Sequence, residues 1–172
     1  MVGRRDSDAS VQGSAADLLR WRIPRAPPRA QAMQPAVHRI KVFPFRLSGP
    51  QPAYLLLKPD QGIEALWGPA QSTLGFGDQM EDAARRTMVE EVGGLTPGSL
   101  VDLQWASRFQ LPDELVIEWC YGFKYDADPD PAVLQSHWAQ ARWAGFAEAF
   151  ESLEMQADRT AMMRLHALIS AA

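Results

Sequence analysis

The chain has 172 residues and a formal net charge of −4, which allows one globular domain with a sizeable core and argues against binding a nucleic-acid polymer through overall charge. Apolar residues make up 47% of it, ordinary for a globular domain, and no apolar run approaches the length of a membrane span. The single cysteine, Cys120, excludes an intrachain disulfide, reads as a packed core thiol and suits a reducing, cytoplasmic setting.

Residues 1–35 carry Arg4, Arg5, Arg20, Arg22, Arg25 and Arg29 among alanines, with Pro24, Pro27 and Pro28. This composition predicts a flexible Arg/Ala/Pro-rich tail ahead of a domain spanning 36–172. Asp6, Asp8 and Asp17 argue against an organelle presequence, and no secretory h-region is present. Met33 is an alternative start, which would make the tail an over-extended reading frame.

Val37 to Leu47 reads as a strand in which Ile40 and Val42 alternate with Arg39 and Lys41. Pro44 cannot donate to a ladder, so a bulge, an edge or the strand's end is expected there. Tyr54 to Leu57 is a short apolar strand, and Ile63 to Trp67 leads through Gly68-Pro69 into a glycine-containing loop. Met80 to Val92 is a helix of good formers, with Asp78 as expected N-cap, Glu81 near a capping box, and Gly93-Gly94 as the stop. Met80, Ala84, Met88 and Val92 form its expected core stripe. Thr87, Glu90 and Glu91 share another face.

Leu100–Leu111 and Leu115–Tyr125 form a hairpin around Pro112-Asp113-Glu114. Glu118, set in the apolar second strand, is expected to face solvent or pair with Arg108 across the hairpin; the other reading is an auxiliary metal or water ligand. Asp126, Asp128 and Asp130 alternate, but Pro129 and Pro131 and the missing glycine exclude a calcium loop. A short strand at Ala141–Trp143 precedes helices at Phe146–Met155 and Asp158–Ile169, the last with Met162, Leu165, Leu168 and Ile169 inward and His166 at its surface or end. The order of elements predicts an α+β fold with a mixed sheet and helices on its faces.

The acidic end of the central helix has two readings, a solvated charge pair or two ligands for a divalent cation. The whole stretch resembles the Nudix box: Gly, five residues, Glu, seven residues, Arg-Glu, an aliphatic residue, any residue, Glu-Glu, any residue, Gly and an aliphatic residue. Laid on without gaps, Arg86, Met88, Glu90, Glu91 and Gly93 match. Asp78 shortens the first glutamate, Ser72 replaces the first glycine, Thr87 replaces the glutamate after the arginine, and Gly94 replaces the last aliphatic residue. Trp67, Glu118-Trp119, the segment from Ser136-His137 to Arg142-Trp143, and Asp158-Arg159-Thr160-Ala161 look like the dihydroneopterin triphosphate and dATP pyrophosphohydrolase branch.

The resemblance implies an α/β/α sandwich that hydrolyses a nucleotide or pterin triphosphate with Mg2+ or Mn2+. Glu90, Glu91 and the backbone carbonyl of Ser72 would hold the metal, and Arg86 would tie Asp78 to the helix. Trp67, otherwise a core aromatic, and Arg108 stand as candidate substrate contacts. Thr87 is a neutral, weak ligand where the family has a charge. A further glutamate expected just before His137 is replaced by Gln135 and Ser136. Compensation would fall to Glu81, Asp82, Glu118 or the 126–130 loop. The resemblance therefore supports two functions: a hydrolase, or a degenerate domain that binds a nucleotide or a protein partner without turnover. Neither involves a membrane or a nucleic-acid polymer.

Overall fold

The computed structural model describes residues 36–47, 49–60, 65–93 and 99–171. The expected tail at 1–35, Gly94 and the turn at 96–98 lie outside the described residues.

β1 (Ala36–Arg46) is the spine of a six-stranded mixed sheet. It pairs in parallel with β5 (Leu115–Lys124), which runs antiparallel to β4 (Leu100–Gln110) at the edge. On its other side β1 pairs antiparallel with two strands in succession. These are β3 (Ala70–Thr73) over Arg39–Val42 and β2 (Ala53–Lys58) at Phe45 and Arg46. β6 (Gln140–Gly145) closes the far edge against β2.

Pro44 is neither edge, bulge nor end: β1 runs through it. The Leu74 N–H donates to the His38 carbonyl on the β3 side, and the Tyr125 N–H donates to the Phe45 carbonyl on the β5 side. Backbone groups alternate along a strand, so Pro44 turns its donor-less nitrogen to the β3 side. That point falls between the β3 and β2 pairings, where no ladder bond is lost.

The pleat of β1 builds two cores. Ile40 and Val42 pack with Ala83, Ala84 and Met88 of α1 (Met80–Glu91). Phe43 and Phe45 pack with Leu153 and with Ala161, Met162 and Leu165 of α4 (Gln156–Ser170, numbered after the two shorter helices). α2 (Pro131–His137) covers the α1 side, and α3 (Phe146–Ser152) lies with α4 on the other. Helices on both faces of one mixed sheet make the expected α/β/α sandwich. No helix among the described residues is long and apolar enough to cross a membrane.

Several local expectations change. Gln79, not Asp78, is the N-cap of α1 and makes no side-chain capping bond, because Asp78 is engaged in the loop. Met80 is exposed, and the buried face of α1 is Ala83, Ala84, Thr87 and Met88. α2 was absent from the expected elements; it starts with Pro131 in its first turn and the Asp130 carboxylate accepting the Ala132 N–H at 2.8 Å. α3 ends at Ser152, and α4 buries Asp158, Ala161, Met162 and Leu165 while Leu168 is exposed. His166 is packed rather than free: Phe146 stacks on its ring at 4.0 Å and Tyr54 Oη lies 2.7 Å from its Nδ1.

Gly93 ends α1 at φ +78°, a conformation that favours glycine. Its N–H donates to the Met88 carbonyl, its own carbonyl accepts from the Tyr125 hydroxyl, and a Cβ there would stand 2.5 Å from Asp130 Cβ.

Candidate functional site

The loop between β3 and α1 is held by one carboxylate. Asp78 Oδ2 accepts the Gly75 N–H at 2.9 Å and the Arg86 guanidinium at 2.6 Å. The Arg86 hydrogen bond, helped by the Gly75 amide, holds Asp78 below the usual carboxylate range. One methylene less than glutamate therefore still reaches from loop to helix.

Two turns further along α1, the three positions of the shared face part company. Thr87 is 0% exposed. Its hydroxyl donates to the Ala83 carbonyl at 2.8 Å and lies 2.6 Å from Ser72 Oγ. A hydroxyl has one proton, so Ser72 is the donor in that contact. Two of the replaced positions of the box are thus bonded to each other. By the β1–β3 register the Ser72 carbonyl is turned into the ladder toward Ile40.

Glu90 is exposed. Glu91 is half-buried, with Oε2 3.5 Å from His137 Nδ1 at the end of α2. Burial raises Glu91 above the usual carboxylate range; His137 opposes the rise and Glu90 adds to it. Of the supplementary carboxylates, Asp130 stands near the end of α1 with its Oδ1 taken by the Ala132 N–H, while Glu81 and Asp82 lie elsewhere. Glu81 is nine residues from Glu90, roughly 13 Å along the axis. With Asp82 it lines a cavity of about 800 Å3 between the start of α1 and a bulge in β4 at Asp102–Trp105. That cavity reaches neither Glu90 nor Glu91. Among the described residues no group of three His, Cys, Asp or Glu side chains is placed to hold a metal ion. Glu90 and Glu91 would thus give an ion at most two carboxylates, with the rest of its shell left to water or substrate phosphates.

Glu118 follows neither expectation. It is 4% exposed, lies 3.1 Å from Lys41 Nζ, and accepts from Ser107 Oγ at 2.9 Å. Lys41, 6% exposed, also donates to Asp158 Oδ1 at 2.7 Å. Arg108 stands opposite Ile117 rather than Glu118, and its side chain is exposed. Burial pulls the Lys41 ammonium down, but two carboxylates outweigh it and hold the group above its ordinary value. Asp158 moves up as well, first through burial and further through Glu118, against the pull of Lys41. One ammonium shared by two buried carboxylates accounts for both directions.

This triad forms the floor of a slot of about 270 Å3. Trp67, Phe109 and Trp138 supply aromatic walls, and Arg39 and Gln71 the polar ones. Trp67 is fixed by Arg142, 4.7 Å above its ring, and by Lys58 at 5.8 Å. Trp138 joins the slot to the box, because its indole N–H donates to the Glu91 carbonyl at 2.8 Å. Of the candidate residues, the structure brings Arg86 to Asp78, puts Ser72 on the now neutral Thr87, and sets Trp67 in the slot. Arg108 is outside the slot lining.

Several solved proteins share this fold. The *C. elegans* Ap4A hydrolase binary complex aligns with a TM-score of 0.63 at 16% identity, covering 79% of this chain and 99% of that one. The chain has the Nudix fold. The *E. coli* dihydroneopterin triphosphate pyrophosphohydrolase shares this Nudix fold with a TM-score of 0.64 at 15% identity, over 76% of this chain and 95% of that one. The Nudix domain of *Shewanella oneidensis* NrtR, solved with ADP ribose, gives 0.63 at 14%, over 91% and 99%. No family model and no curated protein matches the sequence.

Lys41, Asp158, Arg39 and Trp138 were absent from the candidate residues. Lys41 and Arg39 look like the solvent face of an alternating strand. Lys41 is held inside by Asp158 of α4, 117 residues away in the chain.

Proposed function

We propose that residues 36–172 form a Nudix-fold domain that binds a nucleotide or pterin phosphate in the slot beside the box, without turnover by the family's metal route. The observation that carries this reading is the Ser72–Thr87 hydrogen bond. It fills the position of a charged ligand with a buried, neutral and satisfied pair. Magnesium is held by carboxylates, waters and substrate phosphates, and among the described residues Glu90 and Glu91 are not joined by a third side chain placed to hold a metal ion. The slot supports ligand binding because it is concave, walled by aromatic rings and floored by convergent charged groups. NrtR's Nudix domain, of the same fold, holds ADP ribose, which is in keeping with a nucleotide ligand.

The Asp78–Arg86 pair and the half-buried Glu91 favour a second reading. In it the domain hydrolyses a magnesium–nucleotide complex, with the ion arriving as part of the substrate and Glu90 and Glu91 facing it. The test incubates the protein with Mg2+ or Mn2+ and a panel of nucleoside and pterin triphosphates. The same ligands are followed by thermal shift. Ligand-dependent stabilisation with no phosphate or pyrophosphate release above a Glu91→Gln control is expected. Release well above that control would replace the binding reading with the hydrolase.

A further inference from the structure

The slot has a charge arrangement that the box does not explain. Two cations line it, Arg39 and Lys41. Lys41 is committed to Glu118 and Asp158. The Arg39 guanidinium makes no ion pair or side-chain hydrogen bond among the described residues, although the residue is half-buried. A guanidinium that lines a concave slot with no partner among the described residues has its N–H donors available to a ligand. Its position is fixed by the sheet: Arg39 stands between Thr73 at the end of β3 and Glu118 on β5. Thr73 opens the box loop, so Arg39 lies where the slot meets that loop. Lys41 and Asp158 lie about 7 Å further along β1.

We infer that Arg39 binds the phosphate end of the ligand directly and that binding needs no divalent cation. This rests on the binding reading above and names how its anion is held. A phosphate or pyrophosphate brought to a low-dielectric slot needs its charge met. The neutral Ser72–Thr87 pair removes the means of meeting it through a protein-held metal. A guanidinium supplies the same compensation as a fork of N–H donors that matches two phosphate oxygens. Arg39 sits at the end of the slot next to the loop, and Glu118, its neighbour across the strands, is engaged by Lys41 and Ser107. Lys58 and Arg142, both held against Trp67, add positive potential nearby; Arg142 is partly offset by Glu148 at 2.6 Å.

The experiment is calorimetric titration of the full chain with ADP, inorganic pyrophosphate and adenosine, each in EDTA and in magnesium. ADP and pyrophosphate are expected to bind in EDTA with affinities within about twofold of those in magnesium. Arg39→Gln is expected to weaken both by roughly 10- to 100-fold, the usual weight of charge-assisted hydrogen bonds, and to leave adenosine unchanged. Arg39→Lys, which keeps the charge and guards against a folding defect, is expected to lose less. Binding of ADP only when magnesium is present would overturn the inference and leave the binding reading standing. An equal loss for adenosine and ADP in Arg39→Gln would also overturn it, since Arg39 would then only shape the slot. No binding of any probe under either condition would remove both.

Discussion

Ser72 Oγ lies 2.6 Å from Thr87 Oγ1, and the two residues occupy the two positions at which the box pattern is most changed. Each substitution makes room for the other. A glycine at 72 would leave the Thr87 hydroxyl without its donor. A glutamate at 87 would press a buried carboxylate against the serine, far from a compensating charge.

Thr87→Glu alone is therefore expected to lower the melting temperature in the absence of metal. Ser72→Gly with Thr87→Glu places three carboxylates at one helix end and is expected to gain Mn2+ affinity. At a hundredfold excess over Kd the ion would add about 2.7 kcal/mol, a shift of several degrees. Melting curves with and without Mn2+ measure this. A manganese-induced shift of similar size in the unaltered protein would show that the site already holds the ion.

Lys41→Met is expected to leave Glu118 and Asp158 buried without a partner, costing about 3–5 kcal/mol at pH 8. The cost should shrink at pH 5, because Asp158, already raised by burial, takes up a proton more readily once Lys41 is gone. In the unaltered protein, Lys41 is raised from 10.5, so its contribution is complete below that value and fades as pH climbs through the raised one. Asp158 is also raised. Its contribution is present below the ordinary carboxylate range and is lost as pH rises through its folded value, so near neutrality Lys41 offsets a cost at Asp158. Urea unfolding of both proteins at the two pH values tests the difference; equal losses at pH 5 and pH 8 would contradict it.

Cys120 is 2% exposed, and its thiol is pushed up to about 12, chiefly by burial, with Lys41 opposing and the two carboxylates adding. A thiol-specific reagent at pH 8 should modify it at least about a hundredfold more slowly in the native protein than in denaturant, because reaction waits on opening of the core. Comparable rates would mean that β5 is not held as described.

Gly93→Ala places a side chain at φ +78° and its Cβ 2.5 Å from Asp130 Cβ. The backbone conformation alone costs about 1–2 kcal/mol, and the contact adds to it. The expected lower midpoint is read from a thermal melt. An unchanged midpoint would show that the α1 end and the start of α2 do not meet as closely as the structure has them.

The larger outline was legible in the sequence because it depends on local signals. The α1 composition, the hairpin at Pro112–Glu114 and the spacing from Ser72 to Gly93 each lie within one short stretch. What escaped depends on pairing across distance. Pro44 reads as a strand breaker until two partners are seen to share β1 and leave its nitrogen between them. Glu118 reads as half-solvated until Lys41 and Asp158 arrive from strands and helices remote in sequence. α2 is the exception: Asp130-Pro131 is a start signal of the ordinary kind, hidden by an acidic, proline-rich surround. At the site, the Asp78–Arg86 pair was implied by the resemblance to the box and is present at 2.6 Å. The slot was not implied, since six separate elements and loops contribute its walls.

The pleat of β1 and β3 has one further effect. Ile40 and Ser72 turn toward the box helix, while Arg39, Lys41 and Gln71 turn away from it. Neighbouring residues on the same strand thus serve opposite sides of the sheet. A change at the box position Ser72 therefore leaves the residues that face the slot in place, with Trp138 as a contact between the two sides.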